Sequence, residues 1–176
     1  LKLTNYLKSK HNVKVEIVPA SEELKSVRKF EKKNSKLYLS EMLTYTSRNF
    51  HLAYQIGICD CQTLVEKIIQ ENKFFSEDVI SLLKISLLNY FAAAILMPYD
   101  DFLESAKKYK YDIEILMHHY AVSFEQVTHR LTNLQRPQNE GVPFHFLKTD
   151  IAGNVSKRFS LSGIHIPRHG GSCPRW

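Results

Sequence analysis

Cysteine is scarce in this sequence: Cys59, Cys61 and Cys173 are the only three in 176 residues. An odd number of thiols in a chain long enough to bury a real core gives no disulfide framework and points to reduced cysteines and a cytoplasmic protein. Long hydrophobic runs are missing as well. The most apolar stretch, residues 82–98, is interrupted by Lys84, Ser86 and Asn89, short of the roughly 18 uninterrupted apolar residues of a membrane span. The first residues lack the apolar core and cleavage site of a secretory signal, and the chain opens at Leu1 without an initiator Met, as if excised from a longer protein. A glycine-rich phosphate loop, a G-x-S-x-G elbow and a credible Ser/His/Asp set are all absent, which removes the commonest nucleotide-binding and hydrolase chemistries. What is present is an ordinary globular composition, 44% hydrophobic and 24% charged, which excludes a disordered chain.

Charge is distributed in blocks. Residues 1–40 carry ten Lys/Arg against four Asp/Glu, residues 41–128 seven against twelve, and residues 129–176 seven against two, so the net charge of +6 resolves into two basic ends and an acidic middle. Basic ends suit a phosphate-bearing partner, nucleic acid or a nucleotide-like ligand, and equally a solvated lysine-rich surface.

Residues 1–10 place apolar side chains at 3, 6 and 7, enough for a short helix, and residues 13–18 alternate as a half-buried strand before Pro19. Residues 27–31 and 37–39, parted by Asn34-Ser35, predict a hairpin with its lysines outward. From Ser47, a candidate N-cap, an apolar stripe through Phe50, Tyr54, Ile58, Leu64 and Ile69 predicts one long helix. A second helix over residues 78–97, with Ser76 as candidate cap, is apolar nearly all round towards its end and is expected to be the central core helix. Shorter helices follow near 100–109, 112–120 and 123–134, the last opened by Ser123 and Gln126 at capping-box spacing. Five of the six glycines and four of the six prolines lie beyond Gln135, where residues 144–149 and 155–161 flank a turn as a hairpin. The expected fold is α+β: a small N-terminal sheet and helical core over residues 1–134, then a β-rich module over 135–176.

The segments RNFHLAYQIGI (residues 48–58) and NYFAAAILMP (residues 89–98) resemble the core of the ImmA/IrrE metallopeptidase-like family. In that family the first helix carries HExxH, whose two imidazoles on one face bind zinc while the Glu activates the metal-bound water. The matching positions here are Tyr54, Gln55 and Ile58, and the acidic residue expected just before Asn89 is replaced by Ile-Ser-Leu-Leu at 85–88. Isoleucine offers no ligand atom and glutamine is no general base. The resemblance therefore implies a degenerate peptidase scaffold, not an enzyme, with no catalytic residue, metal or cofactor. Its former cleft is left as a ligand pocket, or Tyr54 and Ile58 serve simply as core.

Residues 123–137 (SFEQVTHRLTNLQRP), 141–144 (GVPF), 150–159 (DIAGNVSKRF) and 171–176 (GSCPRW) are similar to the short-chain fatty acyl-coenzyme A regulators. These are bacterial transcription factors with an N-terminal Xre-type helix-turn-helix, an ImmA/IrrE-like domain and a C-terminal regulatory domain. No Xre-type domain precedes the sheet, and the family usually continues past its CPxW motif into a cysteine-bearing end. The resemblance, over residues 45–176, thus implies the middle of a regulator with an incomplete C-terminal module. It implies an effector-sensing role with an acyl-coenzyme A or short-chain carboxylate as ligand, DNA bound through a domain outside this sequence, a homodimer and no membrane partner. Lys157, Arg158, Arg168 and Arg175 could meet the coenzyme A phosphates, Trp176 or Phe159 could stack on adenine, and the helix face at Tyr54 and Gln55 could take the acyl chain. Strand alternation puts Lys157 and Phe159 on one face and Arg158 on the other.

A rival reading is a direct DNA-binding module. Residues 112–135 have a helix-turn-helix rhythm, with Gln126, His129, Arg130 and Asn133 as candidate base or backbone contacts. Cys59 and Cys61, roughly 200° apart around a regular helix, cannot share a metal and read as buried thiols. His165, His169 and Cys173, spaced by four, are better placed for zinc but lack a fourth ligand within the sequence. His118-His119 fits packing better than ligation.

Overall fold

The alternating segments of the first 40 residues form a three-stranded sheet from β1 (Lys14–Val18), β2 (Arg28–Glu31) and β3 (Lys36–Ser40), preceded by helix α1 (Lys2–His11), in a computed structural model that describes residues 2–19, 26–72 and 76–159. The predicted β2–β3 hairpin is antiparallel, with Phe30 opposite Leu37. Strand β1 runs parallel to β3, giving the order β1-β3-β2. Period-two alternation places Leu37 and Leu39 on the inner face, where they join Leu7, Val13, Leu52 and Ile56 in one buried cluster. The architecture is α+β.

The long helix expected from Ser47 is two helices, α2 (Tyr45–Asp60) and α3 (Gln62–Glu71), which part at Cys61. Its cap is Thr44, whose Oγ1 accepts from the Ser47 backbone N–H at 3.2 Å, so Ser47 lies inside the first turn. Cys59 and Cys61 are half-buried rather than buried. The far end of α2 is tied to α1 through Asp60, which accepts from the Tyr6 hydroxyl at 2.8 Å and pairs with Lys10 at 3.1 Å and His11 at 3.0 Å.

Helix α4 (Glu77–Leu96) stops before Pro98, as proline requires, but it is not the central core helix. Only Ala92 of its 20 residues is buried, while Val79, Leu82, Ile85 and Tyr90 are exposed. An apolar surface all round signals a buried helix only where neighbours cover every side. Here α2 and α3 take one side of it. By length and composition alone α4 is also long and apolar enough to cross a membrane. The short helices α5 (Tyr99–Lys108) and α6 (Ile113–Tyr120) follow, α6 capped by Asp112, whose side chain accepts from the Ile115 N–H. Phe102, Leu103, Ala106 and Leu116 are buried there.

The chain divides into two compact units, residues 1–123 and 124–176. In the second, α7 (Phe124–Thr132) precedes a two-residue ladder, β4 (Gln135–Arg136) with β5 (Asn139–Glu140), and the predicted hairpin of β6 (Phe146–Thr149) and β7 (Val155–Phe159). Its turn is built by Asp150, whose carboxylate accepts from the Asn154 N–H at 2.9 Å, with Gly153 at φ +83°, a conformation glycine adopts without strain. The two helices of the helix-turn-helix rhythm, α6 and α7, fall in different units.

Candidate functional site

Helix α2 is positioned for its site by close packing on α4. A Cβ added at Gly57 would lie 2.8 Å from Phe91 Cδ1 and 3.2 Å from Leu88 Cδ2, so only glycine allows this approach. With Leu52, Ala53, Ile56 and Gly57 buried, the side chains at the degenerate motif are fixed in depth: Gln55 is fully buried, and Tyr54 and Ile58 are half-buried.

Gln55, at the motif's glutamate position, faces a cation. Its Oε1 accepts from Arg28 Nη2 at the start of β2, and its Nε2 donates to Cys59 Sγ at 3.7 Å. The Arg28 guanidinium stands 5.1 Å from the Tyr54 ring centroid, a cation–π contact. Arg28 Nε is buried and has no hydrogen-bond acceptor among the described residues. Burial pulls the Arg28 pKa below its ordinary value, but a guanidinium stays charged at neutral pH. His51, one turn before Gln55, is held neutral by burial and by the field of Arg28, and burial pushes the Cys59 thiol up. Among the described residues, the Arg28 guanidinium thus has no carboxylate paired with it. Zinc does not fit: Ile58 supplies no donor, Gln55 is engaged, and the guanidinium would repel a second cation.

In the second unit Glu125 on α7 is the pivot. It accepts from Lys148 at 3.0 Å and from Lys157, which sit opposite each other on the hairpin. One turn on, His129 packs on Phe146 with ring centroids 4.4 Å apart and lies 6.1 Å from Phe159. Lys157 and Phe159 thus share the strand face turned to α7. The two lysines hold the Glu125 carboxyl below its ordinary range, and burial lowers the His129 pKa.

Of the residues singled out in the sequence, Tyr54 and Gln55 come together with Arg28 in the first unit. Lys157 lies in the second unit, salt-bridged to Glu125, and Arg158, half-buried, alternates with it. Arg168, Arg175, Trp176, His165, His169 and Cys173 lie outside the described residues. Among the candidate DNA contacts, Arg130 differs from expectation. Arg130 is only 2% exposed, on the part of α7 that also buries Val127 and Leu131, so its guanidinium is not presented to a base edge. His129 is stacked as described, Asn133 Nδ2 donates to the His129 carbonyl at 2.8 Å, and Gln126 is half-buried. No group of His, Cys, Asp and Glu suited to a metal occurs among the described residues. Arg28 was not singled out, although a signal existed: it shares strand parity with Phe30, which packs on the core, so its side chain belongs on the inner face.

The chain belongs to the IrrE N-terminal-like domain family, which matches residues 8–132, and residues 133–176 match the family described as short-chain fatty acyl coenzyme A regulator, C-terminal. Over 140 residues, 80% of this chain, it is 40% identical to the HTH-type transcriptional regulator RamB of Mycobacterium tuberculosis and 39% identical to a propionyl-CoA carboxylase regulator of Cereibacter sphaeroides. A solved Mycobacterium tuberculosis transcriptional regulator is similar over 99% of this chain, with a TM-score of 0.90 at 35% identity. The chain spans 30% of the length of the two curated relatives and 53% of the solved chain.

Proposed function

We propose that this chain is the effector-sensing part of a bacterial, cytoplasmic transcription regulator, and that it binds a short-chain acyl-coenzyme A or a related carboxylate metabolite without catalysing a reaction. The observation that carries this reading is the match of residues 133–176 to the short-chain fatty acyl-coenzyme A regulators, joined to a scaffold in which Tyr54, Gln55 and Ile58 stand where the resembled HExxH motif has its zinc ligands and general base. Within the second unit, the hairpin carries Lys148, Lys157 and Arg158, cationic side chains of the kind that pair with phosphate, two of them held by Glu125. Ligand binding acts by favouring one of two arrangements of a homodimeric regulator, which changes DNA binding by domains elsewhere in the polypeptide. Burial of Arg130 weighs against direct base reading by α7.

Isothermal titration with acetyl-, propionyl- and butyryl-coenzyme A, against free coenzyme A and the free acids, tests the reading. The expected result is binding that depends on chain length and weakens about tenfold in Arg158→Glu, as loss of a charge-assisted contact implies. Absence of binding by every thioester and every acid would overturn it.

A further inference from the structure

The Arg28 guanidinium has an unusual balance sheet of partners. Its Nη2 donates to the neutral amide of Gln55, its face lies over Tyr54, and its buried Nε meets no acceptor among the described residues. No carboxylate among the described residues pairs with it. Among the described residues, burial disfavours the charged forms of both His51 and Cys59 beside it. A half-buried cation without a counter-charge and a buried donor without an acceptor both raise the free energy of the folded chain. One ligand group removes both penalties: an anionic oxygen at Nε.

We propose that Arg28, with Gln55 and Tyr54, forms a carboxylate-binding site on α2 that takes a short-chain organic acid. The inference rests on the sensor reading above and narrows it at this site to the acid group. A carboxylate fits better than a phosphate because one negative charge balances the single positive charge, whereas a phosphate dianion would leave a second charge half-buried and unpaired. The apolar surface of Ile58 and the Tyr54 ring suits a few methylenes beside the acid group. Because Nε is covered, the groups over it must move for the acid to enter, and the pair then forms where water screens it little.

Gln55 is the specificity element. A glutamate at that position, as the HExxH pattern has, would place a carboxylate on Arg28 and fill the site from within; the amide leaves the positive charge for a ligand. Gln55→Glu is close to isosteric and tests this directly.

The test is a titration of the 176-residue chain with sodium propionate, read on the Arg28 Nε–Hε resonance and by calorimetry, in the parent, Arg28→Gln and Gln55→Glu. Propionyl-coenzyme A and coenzyme A are titrated in parallel. The expected result is a propionate-dependent shift of the Arg28 signal in the parent. Gln55→Glu should melt at higher temperature and bind propionate at least about tenfold more weakly, and Arg28→Gln should not bind it. A propionate response without thioester binding supports this site and removes the acyl-coenzyme A form of the sensor reading. Thioester binding that is equal in all three proteins, with a silent Arg28 signal in propionate, overturns the site and leaves the sensor reading standing. An Arg28 signal unmoved by propionate, or undiminished propionate binding by Gln55→Glu, overturns the proposal outright.

Discussion

Gly57 determines how closely α2 approaches α4, and two opposing effects meet there. In an exposed helix, replacing glycine by alanine stabilises by about 1 kcal/mol through backbone entropy. At position 57 the new methyl would lie 2.8 Å from Phe91 Cδ1, an overlap that forces the ring or the helix to shift at a cost of about 1–3 kcal/mol. The overlap wins, and Gly57→Ala is expected to lower stability by about 1 kcal/mol, read by chemical denaturation. A more stable variant would show that Phe91 yields freely. Arg130 gives the same lesson in reverse. Its charge suggests a surface position, yet Val127 and Leu131 at helical spacing carry it into the interior. At the level of single residues, spacing outweighs residue type.

Among the elements, the β6–β7 hairpin and α7 depend on a few titratable groups. Glu125 faces Lys148, Lys157 and His129, and its folded pKa lies below the ordinary 4.5. Its contribution is complete above that value and fades as pH falls through the folded pKa. His129 lies below its ordinary 6.5 because burial disfavours its cation, so the unfolded chain takes up that proton first and the folded state weakens as pH falls below 6.5. The two effects have the same sign. Acid titration followed by the resonances of residues 146–159 should show loosening in two steps, and His129→Gln should remove the upper one. An upper step that persists in His129→Gln would place it on another group.

For the molecule as a whole, most elements were legible in the sequence, because period-two alternation at 13–18, the turn residues at 150–154 and Pro98 after α4 are strong local signals. Helices α5, α6 and α7 fall within a few residues of expectation for the same reason. The break at Cys61 was not legible, since the apolar stripe of α2 and α3 runs on across it with no glycine or proline to mark the stop. The parallel pairing of β1 with β3 was hidden too, because alternation fixes which face a strand buries but not which neighbour it takes. Of the site, Tyr54 and Gln55 were legible through their motif positions. Arg28, 27 residues away in sequence from Gln55, enters only through the fold.

The outer side of α4 has a consequence for the chain in solution. Val79, Leu82, Ile85 and Tyr90 place an uncharged, water-facing strip along a 20-residue helix, and Leu64 on α3 is exposed as well. Salts excluded from protein surfaces strengthen the burial of such surface. Sedimentation velocity in rising sulfate should therefore show reversible self-association that Leu82→Lys suppresses, whereas the same ionic strength of chloride should have far less effect. The colloidal behaviour of this strongly basic chain would then follow the identity of the anion in its buffer more closely than its own net charge of +6.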